Sequence, residues 1–325
     1  MIPPLAATVL RQIPKEFLVG IATGDYRVLG SVIQSVGSGR IIGHLQETSA
    51  LISLLGSPPL RLAEMGLQVA DVVQNEQIKA AISVVQSLQV ASLALGGISI
   101  GVSIAGTALL VRRIAKIETK IDAIMPELAA ITRGIEVLRE KRIAEDFGRL
   151  RVLAEQVEEA WLPSATNGEW IDIARESHFL AGSFENRVGQ IDAHAGEAFV
   201  DAYALASGLR VTARLAAGQD EMARNAAADR VTKLFAFGES VGLGQLALAR
   251  MSGVADAASA SWQERLDTQA ESLRDGIVAA QQRVLAAAAN AETLEELGRQ
   301  GIAGRDWLDA SREERESPVI VLRAV

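Results

Sequence analysis

AAISVVQSLQVASLALGGISIGVSIAGTALLV, residues 80–111, runs for 32 positions without a charged side chain, between Lys79 and a basic cluster of Arg112, Arg113, Lys116 and Lys120. Its inner part, Val90 to Val111, is 22 residues. As a helix rising about 1.5 Å per residue it would be roughly 33 Å long, close to the roughly 30 Å hydrocarbon core of a bilayer. A buried helix of a water-soluble bundle normally carries a polar stripe. This run offers only Ser92, Ser99, Ser103 and Thr107, whose hydroxyls can bond back to helical carbonyls. The expectation is a segment that enters lipid.

Three readings follow. The first is a permanent transmembrane helix, with the basic cluster and all that follows it on the cytoplasmic side; it requires about 80 residues to cross without a signal sequence. The second is a stored element, masked in a helical bundle and released on a bilayer. Gly96-Gly97 splits the run into halves of 16 and 14 residues, each short of the roughly 17 needed to span, so both would enter as a hairpin with its ends on one side. Gln86 and Gln89 suit a segment that at times faces water. Gly97 with Gly101, Ser99 with Ser103, and Ser103 with Thr107 give small residues at four-residue spacing, a close-contact face for helices in lipid. The third reading is a long buried core helix, although segments that apolar normally stop at about 10 to 14 residues.

Composition agrees with helices. Aromatic residues are only 4% while hydrophobic residues are 49% with abundant alanine, which favours close helix packing over a sheet-based core. The absence of cysteine excludes disulfides and thiolate chemistry and suits a reducing compartment. The N-terminal MIPPLAATVLRQIPKEF has no basic region ahead of an apolar run, so no cleavable signal peptide is expected, and the location read from this is cytoplasmic before insertion, then membrane. Charge is uneven. Residues 1–111 hold six basic and six acidic side chains, so the net −8 falls wholly on residues 112–325, with 26 basic against 34 acidic. That acidic body argues against nucleic acid as a partner, since binding phosphate needs a basic surface.

Outward from the run, the best periodicity lies just after it. Ile114, Ile117, Ile121, Ile124, Leu128, Ile131, Ile135 and Leu138 alternate by three and four, the seam of a coiled coil or packed bundle, with Pro126 and Gly134 as points of bending. Upstream, two Val/Ile-rich runs flank Gly37-Ser38-Gly39, which predicts a β-hairpin with strands over 26–35 and 40–45. A lone hairpin is marginal in water, and Pro318 to Arg323 (PVIVLR) has strand composition, so a small sheet joining the chain ends is expected. Leu162 to Gly168 (LPSATNG) predicts a turn, and 170–304 reads as Ala-rich helices broken near Gly218, near 238–244 and near Gly253. The predicted fold is mainly α, an elongated helical bundle or coiled coil. Its parts are 1–59 with the hairpin, 60–111 with the apolar segment at 80–111, the heptad region 112–161, the bundle 170–304 and the tail 305–325.

The order of parts, with LALGGISIGVSIAG, a basic stop, an Ile-heptad helix and long acidic helices, resembles α-helical pore-forming toxins of the cytolysin A type. The likeness covers about Ala80 to Ala160 in pattern and carries no diagnostic motif. It implies an apolar tongue stored in a helical bundle, but the N-terminal hairpin and the shorter helices depart from those toxins. Gly30, Ile33, Gly39, Ile41, His44 and Leu45 also resemble the front of bacterial proteins that share the apolar segment and Ile-rich helix, and imply no activity.

Patterns that imitate chemistry fail on their context. Gly238-Glu239-Ser240-Val241-Gly242 fits the nucleophile-elbow spacing, but no histidine follows it, since the three are His44, His178 and His194; a tight turn is expected there. Gly37, Gly39 and Gly43 lack the following helix that a phosphate loop needs. His178 with Glu176 and His194 with Asp192 stand two apart and face different sides of a helix, so no metal site is expected. Glu158-Glu159 and Glu313-Glu314 read as solvated faces. No enzyme activity and no cofactor are expected. The insertion surface is assigned to Val90, Leu93, Leu95, Gly97, Ile98, Ile100, Gly101, Val102, Ile104, Leu109, Leu110 and Val111. Headgroup contact falls to Arg112, Arg113, Lys116 and Lys120, and assembly to the Ile114 to Leu138 seam. The partners expected are a lipid bilayer and further copies of the chain; the rival reading is an adaptor whose seam binds a partner helix.

Overall fold

A computed structural model describes residues 14–29, 32–45, 114–115, 117–119, 122, 136–188, 193–240, 281, 283–313 and 319–321. The chain is mainly helical with one small antiparallel sheet. Helix α1 (Lys15–Thr23) ends at Gly24, whose φ of 82° permits the left-handed cap that accepts no side chain cheaply. Strands β1 (Tyr26–Leu29), β2 (Val32–Ser35) and β3 (Ile41–Leu45) follow as a meander. The expected strand over 26–35 is therefore corrected to two strands, paired from Tyr26 with Ser35 to Leu29 with Val32. The expected turn at Gly37-Ser38-Gly39 is present between β2 and β3, with Gly39 at φ 69°.

Among the described residues, the body is carried by a run of helices after the sheet. They are α2 (Glu136–Glu159), α3 (Asn167–Val188), α4 (Ala193–Ala216), α5 (Asp220–Ser240), α6 (residues 283–299) and α7 (Gly304–Glu313). Strand β4 (Val319–Val321) then pairs antiparallel with β3, Gly43 opposite Val321, giving the sheet order β1-β2-β3-β4. The sheet does join the two ends of the chain.

Helix α4 is the hub, because every residue from Asp201 to Leu209 is buried. Its small residues, Ala202, Ala204, Ala206 and Gly208, let neighbouring helices approach from several sides. Phe184 and Phe199 are fully buried, and Trp170 and Leu180 fill the α3 stripe. One core cluster runs from Val32 and Ile41 of the sheet through Ile114, Ile117, Phe147, Leu150 and α3–α4 to Leu297 and Leu308. Gln34, 3% exposed, reaches Glu292 on α6 at 3.3 Å, and Arg40 meets the buried Glu296 at 3.6 Å, so the sheet is fastened to the helices.

The break predicted near Gly218 is real: its φ of 69° is open to glycine and reverses the chain between α4 and α5. The LPSATNG turn occupies the α2–α3 connection, with α3 starting at Asn167 rather than 170. There Glu169 accepts the Thr166 N–H at 2.7 Å, the acidic half of a capping box. The separation of α3 from α4 after Val188 had no breaker residue to announce it except Gly189. Gly238 to Ser240 are helical in α5 and so is Lys233 to Phe237, so the elbow-like pattern has no strand behind it; Val241 to Gly244, where the rest of the expected turn and break falls, lie outside the described residues. Among the described residues no helix is long and apolar enough to cross a membrane. The apolar run lies outside the described residues, as does the break expected near Gly253.

Candidate functional site

The assigned insertion residues Val90 to Val111, the basic Arg112, Arg113, Lys116 and Lys120, and the seam positions Ile121, Ile124, Leu128, Ile131 and Ile135 all lie outside the described residues. The seam's first two positions do not. Residues 114–115 and 117–119 are helical, with Ile114 fully buried and Ile117 5% exposed in the same core cluster as Phe147 and Leu150. Glu118, the residue after Ile117, forms an ion pair with Arg151 on α2. Leu138 lies in the first turn of α2. The start of the seam thus packs into this chain's own body, which leaves those two positions unavailable to a partner helix. It also brings the uncharged run to within three residues of a buried anchor, with Arg112 and Arg113 at the joint.

A second feature was not foreseen from the sequence. Trp161 and Trp170 meet edge to face at 4.9 Å beside an open cleft of about 250 Å³, lined also by Leu162, Thr166, Asn167, Gly218 and Arg305. Arg305 and Arg312 stack on the Trp161 ring at 4.7 and 4.5 Å. The Arg305 guanidinium is committed elsewhere too, to Asp309 at 3.0 Å and to the carbonyl of Ala216 at the end of α4, also at 3.0 Å. That places a cation on the negative end of the α4 dipole. The cleft thus carries aromatic surface and a spent cation but no acid, base or nucleophile. Only the pair of tryptophans flanking a turn could have signalled it.

The polar layer between α3, α4 and α5 holds the displaced titrations. Burial pushes the Tyr203 hydroxyl pKa up, with Asp229 and Glu185 adding to it. Burial lowers His178, and Arg210 lowers it further; Arg214 is lowered by burial and then by Arg210. Arg230, 2% exposed, is brought down to about 10 by burial. Its Nε and Nη2 have no acceptor. No nucleophile stands beside a base here, and among the described residues no cluster of three His, Asp or Glu could hold a metal ion. Comparison of the chain with protein-family models, with curated proteins and with solved structures finds no match to any of them.

Proposed function

We propose that this chain is a membrane-inserting, oligomerising helical protein that perturbs or perforates a bilayer, in the manner of a toxin or a defence effector. One observation carries the reading: 32 consecutive uncharged residues closing on four basic ones. Hydrocarbon selects for such a run, whereas a water-facing bundle does not. Each Leu, Ile or Val favours insertion by about 0.3 to 0.6 kcal/mol, and the hydroxyl and glycine positions offset part of that. Insertion so finely balanced suits a conditional switch better than a permanent anchor.

The attachment of the sheet supports hairpin entry over a single span. A single span would put β1–β3 across the bilayer from the helices, which means separating β3 from β4 and breaking the Gln34 and Arg40 contacts to α6. Hairpin entry leaves all of them intact. Vesicle flotation and dye release test the reading on the purified chain: lipid association with leakage is expected, and G101D combined with I104D should abolish leakage while the far-UV circular dichroism of the body stays unchanged. Indifference to vesicles of every composition, or leakage that survives the double substitution, would overturn it.

A further inference from the structure

Among the described residues, helix α5 meets its neighbours through a face poor in large apolar side chains. Its buried stripe is Ala223, Ala226, Ala227, Arg230 and Leu234, so three alanines and a cation stand where α3 places Trp170, Leu180 and Phe184. Val231 and Phe237, both half-buried, also pack against the core, the Phe237 ring 5.1 Å from Tyr203 of α4. At the centre of the stripe the Arg230 guanidinium leaves two of its nitrogens without an acceptor, and among the described residues no carboxylate neutralises it. A buried charge without a partner favours any state in which water reaches it.

The ion pairs of α5 among the described residues are half-exposed. Asp229 lies 3.8 Å from Arg210, and Lys233 meets Glu185 of α3 at 2.5 Å, both on solvent-accessible ground where ion pairs add little. At the other end the helix is tied: Asp220 accepts the N–H of Gly304 at 3.1 Å, and Gly218 sits just before it with φ 69°. Alanine burial contributes little per residue because so few methylene groups leave water.

We infer that α5 is a detachable element, the part beyond its first turn swinging from α4 while Asp220, just after Gly218, keeps that first turn in place, with Arg230 as the built-in destabiliser. Detachment uncovers the side of α4 that bears Tyr203 and Arg210 and brings Arg230, Leu234 and Phe237 to solvent. This device holds whether or not the chain enters lipid.

Hydrogen exchange followed by mass spectrometry on the full chain tests it. Peptides from 225–240 should exchange at least tenfold faster than those from 173–184 and 200–212, and R230M should slow the α5 peptides tenfold or more while the α3 and α4 peptides hold their rates. Exchange of α5 and α4 at one common rate would overturn the inference, as would an R230M chain in which α5 is no better protected. Should R230M not fold, the unsubstituted chain decides alone: in low urea, α5 exchange must rise before that of α3 and α4, and a simultaneous rise refutes the proposal.

Discussion

Asp146 shows how much a single side chain can hold. It accepts a hydrogen bond from the Ser183 hydroxyl at 2.6 Å and pairs with Arg187 at 2.5 Å, and Arg187 in turn stands over the rings of Phe184 and Phe199 at 5.9 Å. Both charges are largely buried, so D146A leaves a cation among aromatic rings with its carboxylate gone. We expect a loss of about 3 kcal/mol in urea unfolding, at the lower edge of the range for breaking a buried pair because each group keeps some contact with water. His178 gives a pH signature. Its folded pKa lies below the ordinary 6.5, through burial and then Arg210, with Lys233 and Arg214 adding to the effect and Asp229 opposing it. The folded state therefore favours neutral imidazole, and the contribution is present above pH 6.5 and lost as pH falls through the folded value. Between pH 7 and pH 5 the native chain should lose more stability than H178Q; parallel pH profiles would refute this. Neither environment is legible in the sequence, because a charge inside a helical stripe looks like a charge on its surface until the neighbouring helix is placed.

Elements are more legible than their surroundings, and the reason is local geometry. Gly218 announced a helix end because only a residue without Cβ relaxes into φ 69°, and Gly37-Ser38-Gly39 announced a turn on the same ground. The 26–35 run hid its division, since its strands are too short for alternation to show an interruption. At the elbow-like Gly238 pattern a helix tolerates glycine near its end, and α5 runs to Ser240, inside the expected break of 238–244, whose remainder lies outside the described residues. Gly304 at the start of α7 is a stricter requirement. A Cβ there would lie 2.2 Å from the buried Leu215 Cδ2 and 2.8 Å from the Asp220 carboxylate that accepts its N–H. Leu215 is 1% exposed and packed within the core cluster. G304A should therefore cost about 1–3 kcal/mol by overpacking, measured as a lower urea midpoint at unchanged slope.

At the scale of the whole molecule, the sequence disclosed that the ends of the chain meet, because VIVL after a charged stretch has no other apolar partner so near in character as the Val/Ile strands of the front. It did not disclose that the sheet is fastened to α6, since Gln34 with Glu292 and Arg40 with Glu296 are pairings across some 250 residues that no local pattern encodes. The closure has a measurable consequence. Strand β4 contributes three residue pairs to β3, from Gly43 with Val321 to Leu45 with Val319, and without it β3 becomes an open edge of a three-stranded sheet. Each backbone bond lost contributes about 0.5–1.5 kcal/mol net, so deleting 318–325 should cost about 1–4 kcal/mol locally. The helices do not rely on those bonds. Amides of 41–45 should then exchange faster in the truncated chain while α3 and α4 keep their protection. If 41–45 stays protected, β4 is dispensable to the sheet; if α3 and α4 lose protection as well, sheet and helices open together and the closure of the chain ends governs the stability of the whole body.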